Sequence, residues 1–264
     1  MDTIIFGNGN LGRAIAAALV ARADPVPTML GRPDSGGHRS AALPATDVAF
    51  EASRAEAVYT NLAVAIDAGC RRFVIATTAW DADAEAVRAL LARHRAAAVA
   101  APNLSVGVAL FGRLVERAVS LFGSFEDVDP YLLEWHRRSK ADRPSGTARD
   151  LARRVLAAHP RKRRLSNPQS ADPPAADELE LAVIRAGASP GMHLVGFDAP
   201  GETIELRLTA RDRSAYAAGA LVAADWLMRQ PREPGVHGFD EVVDARLVGL
   251  GGNEPAWQPV LAAG

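Results

Sequence analysis

The sequence lacks a second cysteine. Cys70 is alone among 264 residues, so no disulfide can form within the chain and a reducing compartment is expected. An excess of either charge is also missing: 30 Lys and Arg stand against 31 Asp and Glu, a formal net charge of -1. No global field therefore draws the chain to nucleic acid or an anionic membrane, and any anion recognition must be local. No apolar run approaches the length of a membrane span. The opening MDTIIFGNGN has neither the basic start nor the long apolar stretch of a secretion signal. A soluble, cytoplasmic protein without nucleic-acid or membrane partners is expected. Internal repeats are absent as well. With 48% hydrophobic and 23% charged residues, disorder is excluded and there is apolar material for one large or two modest domains.

What is present begins at the N-terminus. TIIFGNGNLGRAIAAALVAR passes from a short apolar run, through glycines, into an Ala-rich helical pattern, which reads as buried strand, tight turn and helix. Gly7, Gly9 and Gly12 have GxGxxG spacing: one for the turn, one for backbone approach to a pyrophosphate, one for close helix packing. Asn10 and Leu11 lie in the same turn and join the cofactor-binding candidates. The next strand, VPTML, ends at Gly31 and Arg32 where an acid would bind the ribose hydroxyls of NAD. An arginine there favours a 2′-phosphate, so NADPH is the preferred cofactor and NADH a possible one.

After a Gly-, Ser- and His-rich loop over 34–40, DVAFEAS reads as a strand and AEAVYTNLAVAIDAG as a helix ending at Gly69. A further buried strand runs from Phe73 to Ala76, with Thr77 and Thr78 beyond its carboxyl end, where ligands sit in open parallel sheets. Strict alternation of strand and helix over about the first hundred residues predicts a Rossmann-type doubly wound sheet. Around Asn103 the character changes. VGVALFGRLVERAVSLFG predicts an amphipathic helix. DVDPYLLEWH, then LELAVIRAGASPGMHLVGFD and ETIELRLTARD, predict antiparallel strands. The fold class expected is α/β, with a second α+β domain. The Pro- and charge-rich segment 159–177, including the basic run 161–164, reads as a mobile loop rather than a nucleic-acid patch. SAYAAGALVAADWLMRQ predicts a helix, and the tail from Pro231 is expected to be irregular.

EWHRRSKADRPSGTARD, from Glu134 to Asp150, concentrates the chemistry. Pro144, Ser145, Gly146 and Thr147 precede an amphipathic helix; Ser145 or Thr147 suits the N-cap, and Thr147 with Asp150 has capping-box spacing. First-turn amides without internal partners form a site for a carboxylate or phosphate. Lys140 brings a full charge to the same place, and His136, four residues earlier, can pass a proton near neutral pH.

EWHRRSKADRPSGTA resembles the signature E-x-H-H-x-x-K-x-D-x-P-S-G-T-A of the dihydrodipicolinate reductase (4-hydroxy-tetrahydrodipicolinate reductase) family. The similarity extends to APNLSVGVALF, FEASRAEAVYTNLAVAIDAG and IRAGASPGMHLVGFDAPGETIELRLTARDRSAYAAGALVAADWL. The resemblance implies reduction of a cyclic dicarboxylated imine in lysine and diaminopimelate synthesis, and a homotetramer. It implies a dinucleotide-binding domain of residues 1–107 plus 214–264, and a substrate-binding and oligomerisation domain of 108–213. His136 would be the general acid and Lys140 the anchoring cation. Arg137, Ser145, Gly146, Thr147 and Arg213 would bind the substrate; Ala76, Thr77, Thr78 and Asn103 would join the cofactor side. No metal is expected. The chain departs from the signature at Arg137, which replaces a second histidine. It departs again at Ala76-Thr77-Thr78-Ala79, which replaces a glycine-flanked loop and is followed by Trp80, and at Trp135. These departures leave two alternatives: a reductase of the same fold acting on another imine or enamine acid, and a non-catalytic dinucleotide sensor.

Overall fold

The computed structural model describes residues 1–32, 43–167, 169–170 and 172–248. The loop expected over 34–40 and the residues beyond 248 lie outside the described residues. The first half alternates β1 (Thr3–Phe6), α1 (Asn10–Ala21), β2 (Thr28–Leu30), β3 (Val48–Glu51), α2 (Val58–Asp67), β4 (Arg72–Ile75), α3 (Ala84–Arg93) and β5 (Ala97–Ala100). There follow α4 (Val106–Phe122), β6 (Asp129–His136), α5 (Gly146–Ala158), β7 (Arg164–Leu165), β8 (Glu178–Arg185), β9 (Met192–Ala199) and β10 (Glu202–Thr209). The described chain ends with α6 (Ser214–Arg229), β11 (Gly235–Gly238) and α7 (Phe239–Val248).

The short strands β1, β3 and β4 read as apolar runs because the parallel sheet they form is covered on both faces. Its order is β11-β5-β4-β3-β1-β2, and every pair is parallel. One face packs α1 and α6 through Ile5, Ile15, Leu19, Ala220 and Leu227. The other packs α2 and α3 through Ile4, Phe6, Leu62 and Leu91. Connections leave β1 and β3 towards opposite faces, so a crevice opens between the carboxyl ends of these neighbours, where ligands bind in doubly wound sheets.

The second sheet has the order β10-β9-β6-β8-β7. Its inner face, with α4 and α5, encloses Phe111, Val115, Leu132, Leu151, Val155, Val195 and Phe197. Ala148, Leu151, Ala152 and Val155 form the buried face of α5 at helical spacing; truncating Leu151 to alanine would cost about 2–5 kcal/mol.

Three sequence expectations are corrected. LELAVIRAGASPGMHLVGFD forms two strands that do not pair with each other. β8 lies parallel to β6 and β9 antiparallel to it on the other side, an insertion that turn chemistry cannot reveal. The tail from Pro231 is not irregular. β11 pairs with the edge strand β5, and α7 buries Phe239, Val242 and Val243, an i, i+3, i+4 pattern that was present in the sequence. The segment 159–177 contains β7, and its basic run is spent internally. Arg161 donates to carbonyls around residues 123–128, Lys162 contacts Asp129 at 2.5 Å, and Arg164 contacts Asp177 at 2.6 Å. Among the described residues no helix is long and apolar enough to cross a membrane.

Candidate active site

At the switch point, a groove of about 350 Å³ is lined by Gly9, Asn10, Leu11, Ala52, Ser53, Arg54, Ala55, Ala76, Thr77, Thr78 and Arg213. The glycines divide the work. Gly7 has φ +107°, and a Cβ there would lie 2.3 Å from the Ala52 carbonyl oxygen; at Gly12 it would lie 2.0 Å from that of Gly7. Both are required by close backbone approach. Gly9 has nothing within 4 Å of where a Cβ would stand, so that space is open to a ligand. No side chain caps α1, which leaves first-turn amides for an anion such as a pyrophosphate. The groove residues therefore fit a dinucleotide. Arg32 is exposed just past the end of β2.

Beneath the groove lies a residue that the sequence reading missed. Glu51, at the end of β3, is fully buried. Its Oε1 accepts from the Ser53 amide at 2.9 Å, the Ser53 hydroxyl and the Thr77 hydroxyl at 3.0 Å; its Oε2 accepts from Asn61 Nδ2 at 2.8 Å. Burial pushes the carboxyl above its ordinary range, against these donors. Glu51 thus ties the loops after β3 and β4 together, and the Thr77 hydroxyl is committed to that support.

The second group lies on the other sheet. Residues of β6 alternate faces, so Leu132, Glu134 and His136 all point inward and are buried. In register, Glu134 stands opposite His193 of β9 and His136 beside Arg185 of β8. Glu134 Oε1 accepts from Arg185 Nη2 at 2.7 Å and from the Ser145 amide at 3.0 Å. Its Oε2 faces His136 Nδ1 at 3.4 Å. The His136 and His193 rings meet edge to face, centroids 5.2 Å apart. Burial works to raise the Glu134 carboxyl, but hydrogen bonds from Ser145 and Arg185 outweigh it and hold it below the ordinary range. For His136, burial lowers the imidazole, Glu134 opposes, and Lys140 and Arg185 add to the lowering; the net is downward. His193 is held at about 4, by burial and then by His136.

The helix start also differs in detail from the sequence expectation. Ser145 is the N-cap, accepting from the Ala148 amide at 3.1 Å. Thr147 and Asp150 form no capping box: the Thr147 hydroxyl accepts from Asn103 Nδ2 at 3.2 Å, and Asp150 accepts from Arg153 and Arg154. The Ser145 amide is spent on Glu134, which leaves those of Gly146 and Thr147 as the open pair. Lys140 Nζ sits 2.6 Å from Asp142 Oδ1. Arg137 is exposed in the turn that follows β6.

The candidate residues fall into two groups. Gly9, Asn10, Leu11, Ala76, Thr77, Thr78 and Arg213 line the switch-point groove, with Gly7 and Gly12 shaping it from behind. His136, Lys140, Ser145, Gly146 and Thr147 gather at the end of β6. Asn103, in the loop after β5, bonds Thr147 and does not line the groove. Arg213, expected with the substrate residues, is on the groove. Glu134, Arg185 and His193 were missed, although the i, i+2 spacing of Glu134 and His136 would have placed them on one strand face. Glu134, His136 and His193 offer ligand atoms within 4.8 Å of one another, a spacing a metal ion could bridge. The guanidinium of Arg185 already occupies that carboxylate.

A family model described as dihydrodipicolinate reductase, C-terminus, matches residues 107–243. The chain is 35% identical over 211 residues to the 4-hydroxy-tetrahydrodipicolinate reductase of Halorhodospira halophila, covering 77% of this chain and 75% of that one. It is 34% identical over 241 residues to that of Akkermansia muciniphila, covering 89% and 94%. Among solved structures, the dipicolinate-bound dihydrodipicolinate reductase of Paenisporosarcina sp. TG-14 shares the fold with a TM-score of 0.64 at 18% identity, covering 90% of this chain and 97% of that one. Doubly wound sheet, second mixed sheet and the relatives' likeness over most of their length together show that the chain belongs to the dihydrodipicolinate reductase family.

Proposed function

We propose that this protein reduces 4-hydroxy-tetrahydrodipicolinate to tetrahydrodipicolinate with a nicotinamide dinucleotide, NADPH in preference to NADH, in lysine and diaminopimelate biosynthesis. The observation that carries the reading is the buried imidazole of His136 beside the open amides of α5, in a chain whose parallel sheet carries a groove fit for a dinucleotide at its switch point. The exposed Arg32 supports the choice of a 2′-phosphate.

Residues 1–107 with 214–264 serve the dinucleotide and 108–213 the substrate. Bound in the groove, a reduced nicotinamide supplies hydride. Lys140 and the amides of Gly146 and Thr147 hold the substrate's carboxylates, with Lys140 exchanging Asp142 for one of them, and Arg137 adds positive charge at the rim. His136 donates the proton. Preorganised charge is the larger contribution and the proton donor adds about a hundred- to ten-thousandfold.

A homo-oligomer is supported by the outer face of the second sheet. Tyr131, Leu133, Trp135 and Ile184 stand there partly exposed, more apolar surface on one sheet face than a solvated strand needs.

The test is NADPH oxidation with enzymatically generated 4-hydroxy-tetrahydrodipicolinate. Turnover is expected; cofactor binding without turnover would move the substrate to another imine, and failure to bind either dinucleotide would overturn the reading.

A further inference from the structure

The proton-donor reading leaves open which nitrogen of His136 delivers, and what holds the ring to that task. Of the two ring nitrogens, only Nδ1 is both sealed from solvent and without a hydrogen-bond partner in the ordinary range; Glu134 Oε2, which faces it, is sealed and unpartnered in the same way. Two such atoms lie 3.4 Å apart in a dry interior that also holds the unpartnered Arg185 Nε and His193 Nδ1, and catalytic hydrogen bonds of this kind tighten when the site is loaded. The other oxygen of the same carboxylate holds the Ser145 amide at 3.0 Å, at the cap of the helix whose next two amides face the substrate. One buried side chain therefore touches both the imidazole and the anion-binding helix start.

Building on the proposed reductase activity, we propose that Glu134 is the positioning residue of this site. Oε2 keeps one proton on His136 Nδ1, so that when the ring is protonated to the imidazolium the second proton sits on Nε2 and is the one given to substrate, leaving the neutral Nδ1–H ring, while Oε1 fixes the start of α5 in register with the ring. Arg185 is the counter-charge that keeps Glu134 ionised in the interior, at 2.7 Å from Oε1, and it is itself anchored by the Asp142 carbonyl at 2.5 Å. A buried carboxylate without that guanidinium would take up a proton and lose its hold on Nδ1. The groups that face His136 from all sides are Glu134 on its own strand, Arg185 on β8, His193 on β9, and Lys140 with Asp142 in the following turn.

The experiment uses Glu134→Gln, which keeps an acceptor for Ser145 but removes the charge, and Glu134→Gln with Arg185→Gln, which restores neutrality should the single variant fold poorly. In both variants the His136 titration, followed by NMR of the free full-length protein, should move to lower pH. The ring should no longer be held with its proton on Nδ1. In the assay, kcat at neutral pH should fall about tenfold or more, the basic limb of its pH profile should move to lower pH, and KM should change less. Glu134→Asp should recover part of the loss. A double variant with the parent's His136 titration and pH profile would overturn the proposal, since the carboxylate would then serve only to neutralise Arg185. The NMR arm needs no substrate, so a parent protein inactive on 4-hydroxy-tetrahydrodipicolinate would count against the proposed reaction while the titration still decided the role of Glu134.

Discussion

Replacing Gly191 with alanine should silence the proton donor while leaving the dinucleotide groove intact. Gly191, just before β9, has φ +154°, and a Cβ built there would lie 2.9 Å from His136 Nε2 and 3.2 Å from Cδ2. Ordinary carbon contacts begin near 3.4 Å, so the methyl group would press on the nitrogen that must reach substrate. Two effects add. The backbone is in a region that only glycine adopts readily, a strain of about 1–3 kcal/mol; against about 5–15 kcal/mol of total stability the fold survives. Nε2 loses its approach, and with it a general-acid contribution of about a hundred- to ten-thousandfold. A hundredfold loss of kcat is about 2.7 kcal/mol of barrier. Steady-state NADPH oxidation should therefore show kcat lower by about a hundredfold or more. Fluorescence titration should show NADPH affinity unchanged, because Gly191 does not line the groove. A folded Gly191→Ala protein that keeps kcat within about twofold of the parent would refute the assignment of Nε2.

Three further outcomes are expected. Ala79 holds φ +61°, a left-handed conformation that costs alanine about 1–2 kcal/mol; Ala79→Gly should stabilise the protein by about 0.5–1 kcal/mol after glycine's own entropy is counted, and an unchanged or lower Tm would contradict it. His193 is held at about 4 against an ordinary 6.5, so the unfolded chain binds the extra proton first. The stability that neutral His193 contributes is whole above pH 6.5 and is lost as pH falls towards 4, by about 3 kcal/mol; denaturant unfolding at stepped pH should show this slope, and His193→Asn should flatten it. Arg32→Glu should lower the NADPH-to-NADH preference at least about tenfold in kcat/KM; an unchanged ratio would remove Arg32 from the 2′-phosphate site.

Much of the first sheet was legible because its information is local. TIIF is apolar on both faces, Gly7 and Gly12 stand where backbones touch, and Gly69 ends a helix at φ +98°, each a property of a few adjacent residues. The reactive segment was legible for a different reason: His136, Lys140 and Ser145 to Thr147 lie close in sequence, and a helix cap needs only its own turn. The tail was misread because β11 is a short GVHG that the edge of β5 makes into a strand.

Sequence by itself determined the alternation of strand and helix, the glycine turn and the residues able to bind an anion or carry a proton, since each depends on spacing along the chain. Tertiary structure decided which of those groups are free to act. It spent the Ser145 amide on Glu134 and the Thr77 hydroxyl on Glu51. It also brought Arg185 and His193, 49 and 57 positions beyond His136, against the imidazole through strands that flank β6 on either side. Burial and charge act through space, so the protonation of His136 is set by neighbours that no local pattern names.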